Sequence, residues 1–93
     1  MDEAQLLLSM LRVDLGIMQT TAYDERLGQL IQSAKQSIIK EGASNLDALS
    51  NIEDAQLIVM YAAWLWRKRE NMEGMPRMLR YALNNRVFQD KLS

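Results

Sequence analysis

A run of aromatic and basic residues, WLWRKREN at positions 64–71, has the composition of a nucleic-acid contact. Aromatic rings stack on bases and cations neutralise phosphates, provided that both kinds of side chain lie along one surface. In a helix, residues two positions apart are rotated by about 200° from each other, so Trp64 and Trp66 point to nearly opposite sides. We therefore expect no stacking platform here. The cations suit the carboxyl end of a helix, where each one stabilises the helix by about 0.3–1 kcal/mol.

Residue types that commonly carry catalysis are missing from the composition. The 93 residues include no cysteine and no histidine, which removes thiolate nucleophiles, Cys/His zinc sites and the commonest general base. The acidic pairs at 2–3, 24–25 and 53–54 lie near predicted helix starts, where negative charge is favourable, and no calcium-loop pattern is present. We expect a protein that is not an enzyme, with no catalytic residue, no metal, no cofactor and no small-molecule substrate.

Charge is divided unevenly along the chain. Residues 1–66 carry four basic and nine acidic side chains, whereas residues 67–93 carry seven basic and three acidic ones, within a net charge of −1. Such a division suits a nucleic-acid surface, or a basic end that meets the acidic flank of a neighbouring subunit, or simply a solvated surface. The candidates for subunit or DNA-channel contact are Arg67, Lys68, Arg69, Arg77, Arg80 and Arg86.

Apolar residues recur at spacings of three and four through most of the chain, which predicts helices rather than strands. The first helix begins near Asp2, and the second ends at Gly42. The third reaches about Glu70, and Pro76 lies in the first turn of the fourth, where its missing N–H costs nothing. We therefore predict an all-α fold, with a single domain over residues 1–93 that is a small bundle of about four helices around a central apolar third helix.

Two sequence patterns mark the starts of the middle helices. Thr21 with Asp24 forms a T-x-x-D arrangement before the second helix, and Ser50 with Glu53 forms an S-x-x-E capping box before the third. In such a box the side-chain oxygen of the first residue accepts a hydrogen bond from the N–H three residues later. We expect Thr21 and Ser50 to cap these helices.

The third helix contains the longest apolar run, LIVMYAAWLW at positions 57–66. Its ten residues are about half of what a bilayer-spanning helix needs, so we expect a buried helix and no membrane partner. Because the run is apolar on every side, it has to be covered on every side, and a second chain is the simplest source of the missing cover. The predicted core residues of the chain are Leu30, Ile31, Ile58, Ala62, Leu65, Trp66, Leu79 and Leu83.

The third and fourth predicted helices carry a combination of motifs that is typical of one family. The apolar segment AQLIVMYAAWLWRKREN is followed by GMPRMLRYALNNR, and the combination resembles the head-tail connector (adaptor) family of long-tailed bacteriophages, also labelled DNA-packaging proteins. In that family an apolar helix ends in an aromatic residue and an Arg-Glu element, a short loop leads to a proline, and a last helix ends near an arginine. The corresponding residues here are Trp66, Arg69-Glu70, Pro76 and Arg86. The segments LLSMLRVDLGI and DERLGQLIQSAKQSI also resemble the first two helices of the family.

The resemblance implies a structural virion protein. Such a subunit forms a ring of about twelve copies beneath the portal protein after DNA packaging, and the ring extends the DNA channel toward the tail. Its implied partners are further copies of itself, the portal protein, head-completion or tail proteins, and DNA that passes through without its sequence being read. The implied location is the virion of a phage or prophage, after synthesis in the bacterial host cytoplasm. The N-terminus, MDEAQ, lacks the basic and apolar segments of a secretory signal, in agreement with that expectation.

A DNA-binding protein is the alternative. A small helical DNA-binding or DNA-packaging accessory protein would use the basic C-terminal third of the chain, and its affinity for DNA would fall steeply with salt concentration.

The sequence also departs from the family in one place. The connection around residues 42–50 is short, so any extended hairpin that relatives carry there is reduced or absent.

Overall fold

Four α-helices form where apolar residues recur at spacings of three and four. The computed structural model describes residues 2–71 and 74–92, without the side chains of residues 69–71. The helices are α1 (Glu3–Leu15), α2 (Asp24–Lys40), α3 (Ile52–Asn71) and α4 (Arg77–Leu92). No strand occurs within the described ranges. The predicted all-α bundle is therefore confirmed.

Local hydrogen bonds close α1 at both ends. Asp2 Oδ1 accepts the N–H of Gln5 at 2.8 Å, and Gln5 Oε1 accepts the N–H of Asp2 at 3.4 Å, which makes a reciprocal capping box. Gly16 ends the helix in the left-handed conformation, with φ of 73°. Glycine has no Cβ to clash in this conformation, which explains why the helix ends here.

The cap predicted for α2 is wrong. Tyr23 precedes the helix in the cap position, and no side chain accepts a hydrogen bond there. Thr21 contributes its backbone carbonyl, which accepts the N–H of Asp24 at 3.2 Å. The carboxylate of Asp24 is used elsewhere, since its Oδ1 accepts a hydrogen bond from Arg12 Nε of α1 at 2.9 Å. This ion pair joins the starting turn of α2 to α1.

The cap predicted for α3 is displaced by one residue. Asn51, rather than Ser50, provides the accepting side chain, and its Oδ1 takes the N–H of Glu53 at 3.0 Å. Ser50 lies in the preceding turn, where its N–H donates to Asp47 Oδ1 at 3.2 Å. Asparagine is at least as good a helix cap as serine, so the helix begins at the later of two competing positions.

The third helix lies at the centre of the bundle. It packs against α1, α2 and α4, most extensively against α2. Its residues 57–63 are buried, apart from Met60, which is half-buried. The other three helices of the same chain cover residues 57–63, so the burial of this segment does not require the second chain that its sequence led us to expect.

Most of the predicted core residues are buried, namely Leu30, Ile31, Ile58, Ala62, Leu79 and Leu83. Leu65 and Trp66 differ from the prediction, because they are only partly buried and pack against the rim of the core. Trp66 meets the ring of Tyr23 edge to face, with 5.4 Å between the ring centroids. Tyr23 is itself 45% exposed, so this aromatic pair lies at the edge of the bundle rather than inside it.

The chain is flat, with principal dimensions of 41 × 33 × 17 Å. A helix with its side chains is about 10 Å across, so the smallest dimension holds less than two full helix diameters. Each helix therefore has one side toward its neighbours and another side toward solvent. The apolar residues on the solvent sides are the ones that a partner could cover.

Substitution of two glycines should change stability in opposite directions. Gly42 follows the last turn of α2 with φ of +120°, and a Cβ there would lie 3.1 Å from Val87 Cγ1. We expect Gly42→Ala to lower the free energy of unfolding by about 1–3 kcal/mol, because it adds backbone strain and crowding. Gly28, inside α2, has open space around it. Gly28→Ala should raise the free energy of unfolding by about 0.5–1 kcal/mol.

Urea unfolding followed by circular dichroism measures both changes. Gly28→Ala is the matched control, since it makes the same chemical change in a helix without the positive φ or the contact with Val87. A loss of stability at Gly28 as large as that at Gly42 would contradict the explanation.

Candidate functional site

Arg86, on the inward side of α4, joins three parts of the chain. Its Nε donates to Asp54 Oδ1 of α3 at 2.7 Å, and its Nη2 donates to the carbonyl of Ser44 at 2.7 Å. Its Nη1 donates to the carboxylate of Asp90, one turn further along α4. Asp54 is 1% exposed, and the side chain of Arg86 is 12% exposed. A carboxylate buried this deeply needs a charged partner that also donates hydrogen bonds, and Arg86 meets both requirements.

Both carboxylates around Arg86 also accept hydrogen bonds from backbone N–H groups. Asp54 Oδ2 accepts the N–H of Asp47 at 2.9 Å. Asp90 Oδ2 accepts the N–H of Ser44 and, at 2.9 Å, its hydroxyl. The hydrogen bond with Asp54 raises the pKa of Arg86, whereas the N–H of Ser44 and then Arg86 itself lower the pKa of Asp90. We define the Arg86 cluster as Arg86, Asp54, Asp90 and Ser44.

This cluster corrects the prediction that Arg86 contacts a neighbouring subunit or DNA. The guanidinium points into the chain, and its nitrogens already donate to two carboxylates and a carbonyl. Arg86 therefore positions α4 against α3 and against the loop that precedes α3.

Two other candidate cations form ion pairs within the chain. Arg80 Nη2 lies 3.3 Å from Glu41 Oε2, and Arg67 Nη2 lies 3.5 Å from Asp14 Oδ2. All four side chains are between 38% and 55% exposed. Exposed pairs of this kind contribute about 0–1 kcal/mol, so both cations can exchange their partners at little cost.

The remaining candidate cations have different surroundings. Lys68 Nζ lies 4.9 Å from the centroid of the Trp64 ring, a cation–π contact. Arg77 is exposed at the first position of α4. The side chain of Arg69 lies outside the described residues. The structure thus leaves Arg77 fully available to a partner, and Arg67, Lys68 and Arg80 available only if an intrachain contact is exchanged.

The two indoles of the WLW segment pack against different rings. Trp64 contacts Tyr61, and Trp66 contacts Tyr23, each edge to face with 5.4 Å between ring centroids. This arrangement agrees with the predicted separation of Trp64 and Trp66. Consecutive bases could not stack on both.

The outward side of α4 presents an apolar stripe that was not among the predicted sites. We define the outer α4 stripe as Met78, Tyr81, Asn85, Phe88 and Leu92. Its four apolar members are between 60% and 75% exposed. Spacings of 3, 4, 3 and 4 place these residues on one side of the helix, opposite the buried Leu79 and Leu83. The fourth helix is therefore apolar on two sides, of which the single chain covers one.

A shallow apolar depression lies between α1 and α3. We define the α1–α3 depression as Met10, Val13, Asp14, Gln56, Val59 and Met60, which enclose about 430 Å³. Val13 is the most exposed apolar residue of the depression, with an exposed fraction of 62%. A second depression adjoins it through Gln56 and Met60 and reaches α4 at Asn85. Together they form a groove across the solvent side of α3.

Neither a metal centre nor a membrane span is found in the part of the chain that the structure describes. No group of acidic side chains there has the arrangement that could hold a metal ion. No helix in these ranges is both long enough and apolar enough to cross a bilayer.

Comparison with protein-family models, curated proteins and solved structures gives no match for the chain. The outer α4 stripe, the α1–α3 depression and the exposed cations are the candidate functional surface.

A double-mutant cycle tests the Arg86 cluster. We expect Arg86→Met to lower the free energy of unfolding by about 3–5 kcal/mol, because it leaves the Asp54 carboxylate buried without its cation. The double variant Asp54→Asn/Arg86→Met should lose less than the sum of the two single changes, since no lone buried charge remains. Arg77→Met, an exposed change on the same helix, is the control and should stay within about 0.5 kcal/mol of wild type. Additive losses in urea unfolding would contradict the pairing.

The dependence of stability on pH tests Asp90 separately. Because the folded chain lowers the pKa of Asp90 below its ordinary value of 3.8, its contribution to stability is present above that value. The contribution is lost as the pH falls through the lower, folded pKa. Thermal unfolding between about pH 5 and pH 2 should therefore show a shallower acid loss in Asp90→Asn than in wild type. Identical slopes for the two proteins would contradict this assignment.

Proposed function

We propose that this chain is a structural virion protein, a head-tail connector subunit of a long-tailed phage or prophage. In this proposal, copies of the chain form a ring under the portal protein and extend the DNA channel toward the tail after packaging. Head-completion or tail proteins bind the far side of the ring. The protein carries out no catalysis.

One observation carries the proposal: α4 exposes an apolar stripe next to available cations. Four large, exposed apolar side chains lie together on one side of this helix, in a chain of only 93 residues. An exposed apolar patch of this kind marks a site of interaction with another molecule. Apolar centres with charged rims are typical of protein–protein contacts. The stripe therefore supports assembly with proteins as the role of this chain.

Three of the residues that carry the family resemblance, Trp66, Pro76 and Arg86, have structural roles here, whereas the side chains of Arg69 and Glu70 lie outside the described residues. Trp66 packs against Tyr23 at the rim of the bundle. The carbonyl of Pro76 accepts the N–H of Arg80 at 3.0 Å and so begins α4. Arg86 fixes α4 to Asp54. Motif residues that pack at the edge of the bundle, begin a helix or hold α4 against α3 support an assembly protein more than a protein with a chemical site.

The alternative, a DNA-binding accessory protein, receives less support. Arg86 is turned inward, and Arg67 and Arg80 already have carboxylate partners. Duplex binding should therefore be weaker than about 1 μM near 0.15 M salt, in keeping with a small number of phosphate contacts. A titration with duplex DNA at two salt concentrations checks this point. Tighter binding would favour the DNA-binding function instead.

Reversal of one exposed charge tests assembly without disturbing the fold. Arg77→Glu should leave the unfolding transition within about 0.5 kcal/mol of wild type, because Arg77 is exposed. It should weaken the ring and its binding to the portal. Arg26→Glu, an exposed change on α2, is the matched control and should have no effect on assembly.

Electron microscopy of the purified protein, alone and mixed with portal assemblies of the phage or prophage that encodes it, measures the outcome. We expect ring density beneath the portal for wild type and Arg26→Glu, and a clear loss for Arg77→Glu. Portal assemblies that bind no wild-type chain would contradict the proposed function.

A further inference from the structure

The chain carries two apolar surfaces that complement each other in shape and charge. The outer α4 stripe is a ridge on a helix, whereas the α1–α3 depression is concave. A helix that lays one apolar side into a groove is a common form of protein recognition, and its contacts recur at spacings of three and four. The outer α4 stripe has those spacings.

The charges beside the two surfaces have opposite signs. Arg77 immediately precedes Met78 of the stripe, Lys91 immediately precedes Leu92, and both cations are exposed. Asp14 lines the depression with 45% of its side chain exposed, and the exposed Glu53 lines the adjoining part of the groove. Asp14 is also paired with Arg67, but at 3.5 Å in an exposed setting this pair is easily exchanged. Opposite charges would fix the orientation of the ridge in the groove.

The stripe cannot fill the depression of its own chain. The buried side of α4, with Leu79 and Leu83, and the Arg86 cluster hold this helix against α3 with the stripe facing outward. Asn85 is the one stripe residue that borders the groove in its own chain, so the four apolar members of the stripe can reach a groove only on another chain. A second copy of this chain supplies both surfaces at once.

We propose that the occupant of the α1–α3 depression is the outer α4 stripe of a second copy. Phe88 and Tyr81 of one copy enter the depression around Val13 and Met60 of the next, and Arg77 or Lys91 faces Asp14. Because the two surfaces differ, the contact is head to tail, and it leaves one free stripe and one free depression in every open assembly. Repetition gives a closed ring or a filament. This inference rests on the proposed ring function and names the surfaces that build it.

Complementary variants test the contact. Val13→Lys places a cation in the depression, where it repels the cations beside the stripe. Phe88→Glu places an anion on the stripe, where it repels Asp14. Both positions are at least 60% exposed, so both variants should fold, which circular dichroism and thermal unfolding verify. Ile39→Glu, at a 53% exposed apolar residue of α2 outside both surfaces, is the matched control.

Sedimentation velocity and native mass spectrometry measure the assemblies. Wild type and Ile39→Glu should form species larger than dimers as concentration rises toward about 1 mM, the weak limit of specific association. Val13→Lys alone and Phe88→Glu alone should remain monomeric. Their equimolar mixture should assemble again, because the intact stripe of Val13→Lys meets the intact depression of Phe88→Glu, and the two altered surfaces bring a lysine opposite a glutamate.

Three results would overturn the proposal. The first is a wild-type chain that stays monomeric to about 1 mM. The second is a Val13→Lys chain that assembles like wild type, which would mean that the depression is not part of the contact. The third is a mixture of the two variants that stays monomeric.

Failure of this contact and failure of the proposed function are distinguishable. Rings on the portal that form equally well with Val13→Lys would retain the connector function and reject these surfaces. Assembly of the mixed variants, without any wild-type ring on the portal, would retain the contact and reject the connector function.

Discussion

The burial of the Asp54 carboxylate is the constraint on which the placement of α4 depends. A charged group with 1% exposure loses nearly all of its hydration, at an effective cost of several kcal/mol in proteins. Arg86 and the N–H of Asp47 replace that hydration from two directions. Arg86 can reach Asp54 only if α4 lies along α3 with this side turned inward. The same rotation of α4 turns Met78, Tyr81, Phe88 and Leu92 toward solvent, so the buried ion pair also decides which apolar side of the helix stays open.

Much of the fold follows from local sequence patterns, and the parts that do not follow depend on contacts between distant residues. Helix positions could be predicted because the spacing of apolar residues is a local property. The Arg86 cluster could not, since Arg86 and Asp54 are 32 residues apart. One signal was present: Arg86 lies three positions after Leu83 and therefore on the buried side of α4. The motif at Thr21 failed for a similar reason, because the Asp24 carboxylate pairs with Arg12 of another helix. The cap at Ser50 failed for a local reason, since the adjacent Asn51 provides the accepting side chain instead.

The two apolar stripes of α4 cannot be told apart by their spacing. The stripe of Leu79, Leu83 and Val87 explains why α4 is helical, and it faces the core as its spacing predicts. A second stripe with the same kind of spacing, beginning at Met78, lies on the opposite side. Spacing alone shows that both exist, but it does not show which one the chain can cover. In this flat bundle α4 has neighbours on one side only, so the apolar surface left for association is the outward side of α4 and not the covered residues 57–63 of α3.

The attachment of α4 also has a consequence for the dynamics of the chain. This helix packs mainly on α3, whereas α1, α2 and α3 all pack on one another. It is therefore the element that can detach as a cooperative unit while the other three helices stay folded. Amide hydrogens in α4 would then exchange with solvent sooner than those in the centre of α3. A partner that covers the outer α4 stripe would slow exchange throughout the helix, so the protection of its amides reports whether that side is occupied.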